Sequence, residues 1–200
     1  MRQLALAISS PPQPSLDNFV PGQNAELLAR LQDLKAGQLG ESVVYLWGTP
    51  GSGRTHLLRA CTVPGITIAD DVEQLDEPGQ LALFGRINEA REAGGAVLAA
   101  GDAPPSQLPL REDLRSRLAW GLVYHVQPLS EEDRALYLAA QAERRGMRLA
   151  DDVVRYLLAR VRRDAGSLAA ILDLLDRTSL EQQRPLTLRL VRETLKTPDE

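Results

Sequence analysis

The sequence predicts an α/β fold in which a parallel sheet of four strands is followed by an all-helical C-terminal module. Up to about residue 127, short apolar runs typical of buried strands alternate with stretches of helical periodicity, and this alternation favours a parallel sheet. After Pro128 only amphipathic helical patterns follow. Three prolines within residues 9–14 indicate an extended linker after the first eight residues. We therefore expect a peptide and linker at 1–14, an α/β core at 15–127 and a helical module at 128–200.

The core elements follow in order from their local patterns. An amphipathic helix is predicted over residues 24–37, with Asn24 placed to cap its start and Gly37 to end it. The four strands are SVVYLWG, GITIADD, AVLAAGD and GLVYHV, and the helices between them are THLLRAC and PGQLALFGRINEAREAGG. The segment REDLRSRLAWG precedes the fourth strand. Because the carboxyl ends of parallel strands share one edge of a sheet, the polar residues after the strands should meet there.

The helical module begins with the segment SEEDRALYLAAQAERRG, which opens with a capping box of Ser130 and Asp133. Three further amphipathic segments follow, namely DDVVRYLLARVRR, SLAAILDLLDRTSL and TLRLVRETL.

Composition excludes several classes of function. The net charge of -4 argues against nucleic acid binding by bulk electrostatics. Cys61 is the single cysteine, which excludes an internal disulfide and suits a reducing compartment. No apolar run approaches the ~18 residues of a membrane span, and the apolar start is too short for a signal peptide. We expect a cytoplasmic protein.

The segment GTPGSGRT, residues 48–55, differs by one residue from a phosphate-binding loop. It follows a predicted strand and opens a helix, so its backbone N–H groups would face a phosphate and Thr55 would ligate Mg²⁺. Arg54 replaces the usual lysine, and its planar fork holds phosphate with a different geometry. The alternative is a glycine-rich turn without a ligand.

Acidic residues follow two further strands. Asp70 and Asp71 end the second strand, where the first acid would hold Mg²⁺ through water and the second would polarise an attacking water. Asp102 ends the third strand, where a residue that senses the γ-phosphate could lie. The alternatives are helix-capping acids at the first position and a turn residue at the second.

Two other segments carry candidate residues. Arg111, Arg115 and Arg117 precede the fourth strand, and one of them could stabilise transition-state charge in a neighbouring subunit, although spacing alone does not choose among them. The N-terminal QLALAI combines Gln3 with an aliphatic face, which suits docking into an apolar groove or is a disordered start. The isolated residues His56, His125 and Cys61 are predicted to be structural.

These blocks together resemble the AAA+ module of the bacterial replication initiator DnaA and, more closely, the Hda family of short regulators related to it. The resemblance runs from about residue 15 to residue 195. It is carried by LDNFVPGQN, YLWGTPGSGRTHLL, IADD, GDAPPSQL, LRSRLAWGLVYHVQPLSEEDR and LLDRTS. It implies an AAA+ P-loop parallel sheet with a C-terminal helical lid, and Arg54 favours the Hda family because its members carry arginine in the loop.

The resemblance also implies function. Members of this family bind the DNA polymerase III β sliding clamp through an N-terminal peptide, here Gln3, Leu4, Leu6 and Ile8, and stimulate hydrolysis of DnaA-bound ATP. The arginine finger that acts on DnaA maps onto Arg117. The cofactor is ADP, or ATP, with Mg²⁺ at Thr55 and Asp70. The implied nucleotide residues are Gly48, Gly51, Gly53, Arg54, Thr55, His56, Asp70, Asp71 and Asp102. We expect little or no ATPase activity of the protein's own, indirect or weak DNA contact and no membrane contact, and a homo-oligomer is left open.

Two departures from the family pattern concern nucleotide binding. Residues 61–69 are short where the family has another strand and helix, so one edge strand of the sheet should be missing. Gly166 stands where the lid normally offers a nucleotide-sensing arginine, and Arg163 lies nearby in the sequence. The alternatives to the Hda-type regulator are therefore a nucleotide-free adaptor between clamp and partner, or a stand-alone AAA+ ATPase of the helicase-loader type.

Overall fold

The computed structural model describes residues 13–160 and 165–196. They form two compact units, one spanning Gln13–Pro128 and the other containing the described residues from Leu129 onward. The clamp-peptide candidates Gln3, Leu4, Leu6 and Ile8 lie outside the described residues, as does Arg163.

A four-stranded parallel sheet forms the centre of the first unit. Its strands are β1 (Val43–Trp47), β2 (Ile66–Ala69), β3 (Ala96–Gly101) and β4 (Leu122–His125). The spatial order is β2-β3-β1-β4, and all three neighbouring pairs are parallel. This confirms the predicted shortened sheet, in which β2 is left as an edge strand.

Four helices flank the sheet, namely α1 (Ala25–Lys35), α2 (Arg54–Ala60), α3 (Glu77–Ala93) and α4 (Glu112–Trp120). Successive side chains of a strand point to opposite faces, so β1 contributes to two separate apolar clusters. Val44 and Leu46 pack with α1 and α2, whereas Val43 and Tyr45 pack with α3 and α4. Helices therefore cover both faces, as expected for a buried parallel sheet.

Asn24 does not cap α1 through its side chain, contrary to the prediction from the sequence. It is buried, and its Nδ2 donates to the carbonyl of Gln127 at 2.9 Å while its Oδ1 accepts from the Gln127 backbone N–H at 2.7 Å. The amide thus satisfies both backbone groups of a residue 103 positions away, and this long-range pairing replaces the local one.

The second unit is all-helical, with α5 (Glu131–Arg144), α6 (Asp151–Arg160), α7 (Ala165–Gln182) and α8 (Leu188–Lys196). The Ser130–Asp133 capping box at the start of α5 is present as predicted. The helices enclose their own core around Leu138, Leu157 and Leu172. Among the helices of the described ranges, none has the length and apolar character needed to cross a membrane.

Candidate functional site

Three chain segments carry candidate residues to the same edge of the sheet, because β1, β2 and β3 run parallel and end there. The glycine-rich loop 48–55 follows β1, Asp70 follows β2 and Asp102 follows β3. Asp102 is exposed. The structure thus brings the loop and the acids after two strands to one end of the unit.

Two glycines let the loop pass close to its neighbours. A Cβ at Gly48 would lie 2.7 Å from the carbonyl oxygen of Val126, closer than ordinary contact. Gly53 has φ +105°, which non-glycine residues rarely adopt, and a Cβ there would lie 2.6 Å from the Phe19 ring. The loop conformation therefore depends on glycine at both positions, and only the second has the left-handed backbone.

His56 faces the segment that precedes α1. Its Nε2 lies 3.0 Å from the carbonyl oxygen of Ser15, and its ring centroid lies 5.5 Å from that of Phe19. These contacts give the histidine a structural task, which is to hold residues 15–19 over the start of α2. A nucleotide contact by His56 stays a prediction.

Thr55 and Asp70 form the pair of oxygen groups that the sequence suggested for a metal ion. The Thr55 hydroxyl donates to Asp70 Oδ2 at 2.7 Å, and Asp70 Oδ1 accepts from the backbone N–H of Asp71 at 3.0 Å. No cluster of three or more His, Cys, Asp or Glu side chains suited to a metal occurs within residues 13–160 and 165–196. Two protein oxygens fit Mg²⁺, which takes its other ligands from water and phosphate.

Arg54 occupies the enclosed side of the loop. Its side chain is 10% exposed, and Nη2 lies 4.0 Å from Asp71 Oδ1. Arg54 Nη1 and Ser52 Oγ are buried and have no hydrogen-bond partner in the described part of the chain. Buried donors are normally satisfied, so these two atoms fit an anionic acceptor such as phosphate.

Tyr45 and Glu73 also belong to this end of the sheet, although the sequence did not indicate them. The Tyr45 hydroxyl donates to the carbonyl of Ala103 at 2.8 Å, and burial, with a smaller contribution from Glu73, raises the pKa of Tyr45 above its usual range. Glu73 Oε2 is buried and, in the described residues, lacks a hydrogen-bond partner. The turn Val72–Gln74 contacts β3 and brings Glu73 to this end of the sheet. In the sequence, the available signal for Glu73 was a third carboxylate only two residues after Asp71.

The arginines of the α4 segment lie in different surroundings. Arg111 donates to both carboxylate oxygens of Asp113, at 3.2 and 2.9 Å, and lies 3.7 Å from Glu77. The hydrogen bond from Arg111 lowers the pKa of Asp113. Arg115 is half-buried on the next turn. The charge of Arg111 is therefore already neutralised by local acids.

Arg117 is held by aromatic rings instead. Its guanidinium carbon lies 4.2 Å from the centroid of the Trp120 ring and 5.5 Å from that of Phe84. The part of the chain that is described shows no ion pair or hydrogen bond of the Arg117 guanidinium. Its positive charge therefore remains available to an external group.

Gly121 fixes the place of the last turn of α4. A Cβ at this position would overlap the carbonyl oxygen of Val43 and lie 2.7 Å from its carbonyl carbon. Only glycine allows the chain to pass this close to β1 between α4 and β4. In the second unit, Gly166 lies in the first turn of α7, and the loss of a nucleotide-sensing arginine at this position stays a prediction.

Comparison with known proteins places these features in a family context. Residues 131–195 match the model of the Hda lid domain. Domain III of the Thermotoga maritima replication initiation protein DnaA is similar over 93% of this chain and 97% of its own, with 21% identity and a TM-score of 0.77. A DnaA bound to AMPPCP and single-stranded DNA is similar over 93% of this chain and 69% of its own, at 19% identity and a TM-score of 0.74.

A more distant likeness is the Thermotoga maritima RuvB Holliday junction branch migration motor. It covers 92% of this chain and 72% of its own, at 17% identity and a TM-score of 0.68. These similarities show that the fold is that of an AAA+ module with a helical lid.

Proposed function

Since the chain is an AAA+ protein related to Hda and DnaA, we propose that it is a negative regulator of replication initiation. In this proposal, the protein holds ADP, associates with the β sliding clamp through Gln3 and the aliphatic residues that follow it, and stimulates hydrolysis of ATP bound to DnaA. Arg117 acts as the arginine finger in trans. The protein is then an activator of another protein's reaction, with little turnover of its own.

The observation that carries the proposal is the state of Arg117. A finger must present positive charge to the phosphoryl group as negative charge develops on it. Arg111 is bound by Asp113 on its own helix, and a carboxylate there would have to be displaced first. Arg117 contacts two aromatic rings and keeps its charge, so it is the better choice of the two.

The nucleotide site of this chain supports a holding role. Ser52 and Arg54 offer buried donors to phosphate, and Thr55 and Asp70 would hold Mg²⁺. When bound, Mg²⁺ neutralises part of the phosphate charge. Asp71, the residue expected to polarise water, lies 4.0 Å from Arg54. A carboxylate oxygen that contacts Arg54 is less available to orient an attacking water, which is consistent with slow hydrolysis in the protein's own site.

The test is ATP hydrolysis by DnaA from the same genome, measured with β clamp loaded on DNA. The wild-type chain, Arg117→Ala and the matched control Arg115→Ala are compared, each with and without clamp. Fingers of this kind contribute about 10³–10⁵ in rate in related phosphoryl transfer, so Arg117→Ala should abolish stimulation while Arg115→Ala retains it. Equal stimulation by the wild type and Arg117→Ala would show that Arg117 is not the finger.

A further inference from the structure

We infer that Trp120 is a positioning residue for Arg117: its exposed ring, with that of Phe84, holds the guanidinium in place for a phosphoryl group on a partner protein. The inference rests on the proposed role of Arg117 and adds the means by which a long, flexible side chain is kept ready.

The two rings come from different helices. Trp120 is the last residue of α4 and follows Arg117 by three positions, so the two side chains share one helix face. Phe84 lies on α3, which packs against α4. Because the α4 end is fixed by the approach of Gly121 to Val43, the Trp120 ring has a defined position for Arg117 to rest on.

Aromatic support suits a finger better than an acid does. A ring attracts the guanidinium through its quadrupole and accepts no N–H hydrogen bond in the way that a carboxylate does. The donors of Arg117 therefore stay free for phosphate oxygens, whereas those of Arg111 are taken by Asp113. Holding the side chain before contact also removes part of the ordering cost from the reaction step.

The exposure of Trp120 argues against a role in the core. The residue is 67% exposed, while the apolar residues of the same helix, Leu114 and Leu118, are completely buried. An exposed tryptophan beside an arginine is also the composition of a binding hot spot. The two roles differ in what they change: positioning alters the maximal stimulated rate, and docking alters the partner concentration that gives half of it.

The decisive variants are Trp120→Leu, which keeps apolar bulk without a ring, and Trp120→Phe, which keeps a ring. DnaA–ATP hydrolysis is measured over a range of concentrations of each variant. Trp120→Leu should lower the maximal stimulated rate about fivefold, the equivalent of about 1 kcal/mol of cation–π attraction, at an unchanged half-saturating concentration. Trp120→Phe should stay within about twofold of wild type, since phenylalanine retains most of that attraction.

A spectroscopic measurement tests the contact without the partner. In a Trp47→Phe background, Trp120 is the sole tryptophan. Arg117→Met then removes the cation over the ring while retaining an unbranched side chain, and Trp120 emission should change. Arg115→Met, on the same helix, should leave the emission as it was.

Each outcome decides the inference. A change in half-saturating concentration with an unchanged maximal rate would make Trp120 a docking residue and overturn it. A wild-type maximal rate with Trp120→Leu would also overturn the inference, as would Trp120 emission that does not change in Arg117→Met. If Arg117→Ala itself retains stimulation, the proposed function fails first and the positioning role fails with it. Loss in Arg117→Ala without loss in Trp120→Leu would overturn the positioning role alone.

Discussion

Arg54 and Arg117 belong to the same α/β unit and lie in opposite surroundings. Arg54 begins α2, is 10% exposed and has Asp71 as its nearest acid at 4.0 Å. Arg117 lies on the last turn of α4 beside the rings of Trp120 and Phe84, and no acid of the described residues pairs with its guanidinium.

The difference indicates where each arginine finds its acceptor. A buried donor without a partner, such as Arg54 Nη1, is costly unless a ligand completes it, so Arg54 is suited to an anion within this chain. The guanidinium of Arg117 rests on aromatic rings near an exposed helix end, and no group of the described residues takes its donors. Arg117 is therefore suited to an anion that arrives with another molecule.

The largest expected effect comes from disturbing the end of α4, the helix that carries Arg117. Gly121→Ala would drive a Cβ into the backbone of Val43, and backbone cannot rotate aside as a side chain can. We expect a loss of about 3 kcal/mol or more in the free energy of unfolding, measured by urea denaturation.

A matched glycine in the same unit provides the control. Gly85 lies inside α3, with nothing within 4 Å of its ideal Cβ. Gly85→Ala should therefore stabilise the protein by about 0.5–1 kcal/mol, because alanine loses less backbone entropy in a helix. Equal tolerance of both substitutions would mean that the approach of Gly121 to β1 does not fix the end of α4.

The C-terminal end of α2, the helix that carries Arg54, should be inaccessible to reagents, whereas the C-terminal end of α4 carries the exposed Trp120. Cys61 ends α2 and is completely buried, and burial raises the pKa of its thiol from 9.0 to about 11, against a smaller opposing effect of Lys35. The reactive thiolate is then about a hundredfold scarcer at pH 8. Alkylation by iodoacetamide, followed by mass spectrometry, should be slower than in denaturant by at least that factor.

The sign of the stability effect follows from the same shift. A pKa that is higher in the folded protein contributes stability that is complete below the unfolded value near 9 and is lost as pH rises through about 11. Cys61→Ala should flatten the dependence of the unfolding free energy on pH across that interval. Alkylation of Cys61 in the folded protein at the same rate as in denaturant would show that the C-terminal end of α2 opens readily, contrary to this prediction.

Local pattern was sufficient to predict the elements and insufficient to predict the contacts between them. The apolar runs and their spacing indicated four strands, and Ser130 with Asp133 indicated the start of α5, since these signals lie within a few residues of each other. The pairing of Asn24 with Gln127 spans 103 positions. Periodicity carries no information about such partners.

The same limit applies to both arginines. The glycine-rich pattern placed Arg54 in a loop, but the buried state of its Nη1 depends on the surrounding fold. Likewise, the sequence left Arg111, Arg115 and Arg117 equivalent by spacing, and Arg111 differs from Arg117 in what its side chain contacts. Phe84 reaches Arg117 only because α3 packs on α4, a tertiary fact that no local signal encodes.

The smallest expected effect tests the comparison most directly. Arg54→Ala should weaken binding of ADP to this chain by about tenfold, near the lower end of the range for a hydrogen bond to a charged group. Arg117→Ala should leave that affinity unchanged, because in its proposed role Arg117 acts on a nucleotide bound to another molecule. Isothermal titration with ADP, in Mg²⁺ and again in EDTA, measures both.

Comparing the titrations in Mg²⁺ and in EDTA shows whether a change in ADP affinity arises at the phosphate or at the metal ion. Mg²⁺ would be held by Thr55 and Asp70, so the tenfold loss in Arg54→Ala should persist in EDTA if Arg54 contacts phosphate directly. A loss of ADP affinity in Arg117→Ala would instead mean that both arginines serve one nucleotide. The aromatic support of Arg117 would then belong to the chain's own site, and the division between an inward and an outward arginine would be wrong.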